Sequence, residues 1–213
     1  MVGAVAKRAV LADRLDKQKL LTEVVVNELQ YHARRIEHFC AESSEFRRYV
    51  AENFRALTID ALKKAEQTRS NDRIRRIGQI LVNSVTVNPP ATADVTEELM
   101  RTAMQLSDRD ALFLGEIYNA QFRFFDNARG IAAVVHEFEG GVRQLRPDSW
   151  PLERLRNAGF DHADLMAIPA KLVSLGLVQP FEWLDGPPYP HFLLRNGLLF
   201  VRYARSHSEK FAE

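Results

Sequence analysis

One cysteine, Cys40, stands in the 213 residues, so no intrachain disulfide can brace the fold and the chain suits a reducing compartment. No apolar run approaches the roughly 20 residues that a spanning helix needs. At the start, MVGAVAKRAVLADRL sets Lys7 and Arg8 inside what would be the apolar region of an export signal, and a cytoplasmic protein is expected. Charge of one sign is also missing. Lys+Arg 29 against Asp+Glu 28 leaves a formal net charge of +1, so any attraction for nucleic acid or an anionic membrane must come from a local patch, and no membrane partner is expected.

Catalytic signatures are equally sparse. The six histidines, His32, His38, His136, His162, His191 and His207, form no HExxH or Cys-His cluster, which leaves no metal-ligand spacing. The chain has no P-loop, no Gly-x-Ser-x-Gly elbow and no GxGxxG turn. Glu137 and Glu139 lie two positions apart and would not face each other on a helix. The expected catalytic, cofactor-binding and metal-binding residues are therefore none, and no cofactor is expected.

What is present is helical patterning in an ordinary globular composition, 46% hydrophobic and 27% charged. Leu11, Leu15, Val25, Leu29, Ile36 and Phe39 recur at three and four, with Gln18, Thr22 and His32 at the intervening seam positions, which predicts a long amphipathic first helix. Its seam makes a dimer an expectation. A second helix is predicted over 44–68, and a third carries Ile74, Ile77, Leu81 and Val85 before Asn88, Pro89 and Pro90 stop the pattern. Asp94 is a candidate cap for a helix running to about Leu106. Ser107 with Asp110 reads as a capping box for a helix reaching about Asn127. A shorter amphipathic segment, 131–138, ends at Gly140 and Gly141.

The last third changes character. After a short helix near 152–158, Asp161 and Asp164 can cap a helix with Leu165, Ile168, Leu172 and Leu175 on one face, which Pro169 is expected to kink or divide. Gly176 stops it. LVQPFEW and PHFLL then read as short strands around LDGPPYP, and a final helix follows in LLRNGLLF. The fold class expected is mainly α, a multi-helix bundle over 1–146 followed by a small α+β module over 147–213.

The order helix, GLV, hairpin, helix in 161–203 resembles winged-helix regulators, and the module is accordingly winged-helix-like. Separately, DRIRRIGQILVNSV and TEELMRTAMQLSDRDALFLGEIY are similar to helical segments of uncharacterised bacterial proteins associated with phage defence. The winged-helix resemblance implies that Lys171 and Arg195 could meet phosphate, while Ser174 or His162 could reach a base edge. Against this, Asp161, Asp164, Glu182 and Asp185 repel phosphate, and residues 151–213 hold seven basic and seven acidic side chains. A solvated helix face is the competing reading of Lys171.

Arg69, Arg73, Arg75 and Arg76 form the denser basic patch, suited to a nucleic-acid backbone or an acidic partner. The plainer reading pairs them with acidic neighbours beside the Ile74 and Ile77 stripe. Trp183 and Tyr189, near the expected wing, are candidate protein-interface anchors. The function expected is a non-enzymatic interaction or regulatory protein that docks a protein partner or self-associates. A DNA-binding regulator is the alternative, and an enzyme with a dispersed site has the least support.

Overall fold

A computed structural model describes residues 2–86, 92–122, 151–180 and 191–205, with side chains from residue 8 onward. Among the described residues the fold is mainly helical with one small antiparallel sheet. The chain divides into two compact units, Met1–Gln105 with Tyr203–Glu213, and Leu106–Arg202. The expected boundary at 146/147 lies outside the described residues, as do the segment 131–138 and the glycine pair after it.

The first unit is built on α1 (Val2–Glu42), α2 (Ser44–Glu52), α3 (Phe54–Gln67), α4 (Asn71–Asn83) and α5 (Ala93–Gln105). Helix α4 is its centre and touches α1, α3 and α5. From Ile77 to Asn83 every residue of α4 is buried, because helices flank it on several sides and no turn is left for solvent. Each large aliphatic side chain buried in this way contributes roughly 1.5–3 kcal/mol relative to exposure. The α1–α4 approach is close at Gly78, where a Cβ would lie 2.8 Å from Val24 Cγ1 and 3.3 Å from Leu21 Cδ1.

Two expectations for this unit need correction. The single helix predicted over 44–68 is two helices that meet at Asn53, which is off the ideal helix at φ −97° although its N–H still reaches Tyr49 O at 2.9 Å. Asparagine competes with helical bonding through its own side chain, so the periodic pattern ran through a weak point. Helix α5 is capped by Thr92, whose Oγ1 accepts from Val95 N at 3.3 Å, and Asp94 sits in the first turn instead, where its charge still opposes the helix dipole.

The polar residue Asn83 ends α4 in the interior. Its Nδ2 donates to the carbonyls of Tyr203 at 2.7 Å and Arg205 at 3.1 Å, and its Oδ1 accepts from Thr86 Oγ1 at 3.2 Å. One buried amide thereby satisfies carbonyls at a helix end that have no helical donor.

The second unit contains α6 (Asp108–Phe122), α7 (Leu152–Asn157), α8 (His162–Ser174), β1 (Val178–Pro180), β2 (His191–Leu193) and most of α9 (Arg195–Ala204). The expected Ser107/Asp110 box is present in both directions, Asp110 N to Ser107 Oγ at 3.1 Å and Ser107 N to Asp110 Oδ2 at 2.8 Å. Asp161 and Asp164 form a second box at the start of α8.

Glycines end α7 and α8 in the same way. Gly159 has φ 84° and Gly176 φ 65°. In each case the next residue donates back across the turn, Phe160 N to Leu155 O at 3.0 Å and Leu177 N to Leu172 O at 3.0 Å, a six-to-one closure that needs a left-handed residue at its corner.

Pro169 does not divide α8: the helix runs from His162 through to Ser174. The missing amide proton forfeits one bond, but the ring is buried on the inner face beside Leu165, Ile168 and Leu172, and both helix ends are closed.

Strands β1 and β2 pair in the register Val178↔Leu193, Gln179↔Phe192, Pro180↔His191. Helix α6 extends this sheet by a side chain. Gln121 Nε2 donates to His191 O at 2.7 Å while Gln121 Oε1 accepts from Leu193 N at 3.1 Å. A single buried amide thus makes the two bonds that a neighbouring strand's peptide groups would make.

Candidate interaction surfaces

The basic patch takes shape at the start of α4. Ser70 is the N-cap, its Oγ accepting from Arg73 N at 3.0 Å, so Arg69 precedes the helix and does not continue the face of Arg73 and Arg76. Arg73 Nη1 turns back to Thr68 Oγ1 at 3.3 Å, and Arg75 pairs with Asp72 at 3.6 Å. Arg76 is half-buried and Arg69 is exposed. Arg69 joins Asn71, Asp13, Asp16, Lys17 and Leu20 around an open groove of about 610 Å³. That lining carries two acids and two bases, so it offers no net attraction for either sign of charge.

In the second unit Lys171 is committed to an internal partner. Its Nζ donates to Asp110 Oδ2 at 2.5 Å, and the Asp110 side chain is only 7% exposed. Burial alone would raise the Asp110 carboxyl, but hydrogen bonds from Lys171 and Ser107 outweigh it and hold the group below the usual carboxylate range.

Arg109 is tied down similarly. Its guanidinium bonds both Asp164 oxygens and the Gly159 carbonyl, and it lies 4.6 Å from the Phe160 ring centroid. Through that hydrogen bond the Asp164 carboxyl is also held below its ordinary range. These pairs join the α6 N-terminus to α8, whose exposed residues besides the engaged Lys171 are His162, Ala163, Met166, Ala167, Ala170, Val173 and Ser174. Ser174 Oγ bonds its own helix at Lys171 O, 2.7 Å away. Arg195 is exposed at the first position of α9. Trp183 and Tyr189 lie outside the described residues.

Between α1 and α4 the buried Gln79 and His32 both meet the partly exposed Glu28. Gln79 Nε2 donates to Glu28 Oε1 at 3.0 Å, and His32 Nε2 lies 3.8 Å from Glu28 Oε2. Among the described residues no group of His, Cys, Asp and Glu could hold a metal ion, and no described helix is long and apolar enough to cross a membrane.

The surface that the sequence pattern concealed lies on the N-terminal third of α1. The stripe that reads as continuous divides in two: Leu21, Val25 and His32 are buried in the bundle, whereas Leu11 is 49% and Leu15 64% exposed. Every residue from Arg8 to Asp16 is exposed. A helix of 41 residues is about 60 Å long at 1.5 Å per residue, against roughly 20 Å for its main partner α4. The signal was available in that length mismatch, since a three-four repeat much longer than its neighbours must outrun them.

Compared with known protein families, curated proteins and solved structures, the chain matches none.

Proposed function

We propose that this chain is a non-enzymatic interaction protein whose helical unit docks a protein partner through the exposed part of α1, with the winged-helix-like region serving as a second docking module. The observation that carries the reading is the exposure of Leu11 and Leu15 on a helical stretch with no buried residue between Arg8 and Asp16. Large exposed aliphatics on one face characterise binding helices.

A DNA-binding role through α8 has weaker support. The ammonium of Lys171 is engaged by Asp110, and the outward face of α8 is mostly alanine, methionine and valine, which offers phosphate few contacts.

Photo-crosslinking from a benzoylphenylalanine at position 15, with a control at Asp13, tests the docking reading in cells. A discrete adduct from position 15 and none from position 13 is expected. Absence of adducts at both positions in a folded, expressed chain overturns it.

A further inference from the structure

The identity of the charges around Leu11 and Leu15 narrows the partner. On a helix surface a side chain's neighbours are those three and four positions away. For Leu11 these include Arg8, Arg14 and Leu15; for Leu15 they are Leu11, Ala12, Gln18 and Lys19. No acidic residue occupies any of those positions. Asp13 and Asp16 point elsewhere, into the groove with Lys17 and Leu20. The first acid along the stripe, Glu23, comes about two turns beyond Leu15.

Existing pairs neutralise these bases only weakly. Arg14 is 3.7 Å from Glu66 with its side chain 57% exposed, and Lys19 is 3.9 Å from Glu23 with 76% exposed. Exposed pairs of this length contribute little and exchange readily for better ones.

From this we infer that the N-terminal third of α1 docks an amphipathic helix of another protein, one whose apolar seam meets Leu11 and Leu15 and whose flanks are acidic. A second copy of this chain is disfavoured by the same arithmetic, because pairing two such seams sets Arg8, Arg14 and Lys19 among their own copies and like charges cost binding energy. A nucleic-acid backbone would answer the arginines but leave the two leucines in water. The inference rests on α1 being the docking element.

The test uses the full chain and two synthetic helical peptides of about three heptads, both with a leucine seam, one flanked by glutamates and the other by lysines. Fluorescence anisotropy should show binding of the glutamate peptide that weakens as salt rises from about 50 to about 300 mM. Affinity should fall at least about tenfold with Leu11→Ser/Leu15→Ser. Arg8→Glu/Arg14→Glu should reverse the preference toward the lysine peptide. Circular dichroism of each variant confirms that the bundle is intact.

Equal binding of both peptides, a lysine preference in the unsubstituted chain, or no binding at all overturns the acidic partner. So does a concentration-dependent dimer that Leu11→Ser/Leu15→Ser dissolves. That last result, or an adduct from position 15 without peptide binding, would leave α1 as a docking element and change only its occupant.

Discussion

Lys171 Nζ donates to Asp110 Oδ2 at 2.5 Å across 61 residues of sequence, joining the last turn of α8 to the first turn of α6. Asp110 is also half of the α6 capping box, so one buried carboxylate closes a helix end and fixes a second helix against it. Lys171→Ala should destabilise the second unit by about 1–3 kcal/mol, since a charge would be left buried with only the Ser107 bonds to answer it. Urea unfolding of the variant beside Asp110→Asn/Lys171→Ala measures this; a double substitution no worse than the single one is the expected sign of coupling.

Both Asp110 and Asp164 have carboxyl groups lowered in the folded state. Each therefore contributes stability that is present above the unfolded carboxylate value of about 3.9 and lost as pH falls through the folded value. Thermal melts between about pH 6 and about pH 2 should show a decline in that acid window, and Asp110→Asn should flatten part of it. An unchanged acid limb in Asp110→Asn would remove Asp110 from the account.

Gly197 and Gly176 make opposite demands on the chain, and alanine distinguishes them. At Gly197 a Cβ would lie 2.1 Å from Leu177 O, which itself accepts from Leu194 N at 2.9 Å. Gly197→Ala should cost more than about 2 kcal/mol, because backbone must move. At Gly176 the space is open and only φ 65° matters. Gly176→Ala should cost about 1 kcal/mol. Equal midpoints in denaturant for the two variants would contradict this ordering.

Gln121→Leu should remove both side-chain bonds to β2 while retaining bulk, at a cost of about 2 kcal/mol. The local reading is hydrogen exchange: the Leu193 amide should lose protection in Gln121→Leu and keep more of it in Gln121→Glu, whose carboxylate can still accept. Protection unchanged in Gln121→Leu would mean the side-chain bridge is dispensable.

Leu11→Ser and Leu15→Ser should each change stability by less than about 0.5 kcal/mol, as expected of exposed positions. Leu21→Ala, on the same helix but 1% exposed, should cost about 2–5 kcal/mol. A calorimetric midpoint that falls as far for Leu15→Ser as for Leu21→Ala would place Leu15 in a core after all.

Local signals were legible in the sequence because they are short-ranged. The Ser107/Asp110 and Asp161/Asp164 boxes and the stop at Gly176 each follow from residues within a few positions of one another, and they stand where the spacing predicts. The break at Asn53 and the continuity through Pro169 were not legible, since each depends on what the surrounding helices bury. Nor were Gln121 and Asn83, polar residues whose side-chain amide nitrogens reach carbonyls 70 or more positions away. Of the candidate site residues, Lys171 shows the limit most clearly: the sequence identifies a cation on a helix, and only the fold supplies Asp110.

Asn83 also ties the end of α4 to chain that is synthesised much later. The first compact unit takes nearly all its helices from residues up to Gln105, but it includes the stretch beginning at Tyr203, and the amide of Asn83 meets its carbonyl partners there, 120 and 122 residues later. Synthesis proceeds from the N-terminus at about 5–20 residues per second, so the hydrophobic contacts around α4 can assemble several seconds before that amide finds its acceptors. On the ribosome these two bonds can form only after the roughly 120 residues that separate Asn83 from its acceptors have been made, so part of the first unit's closure is supplied by chain synthesised much later.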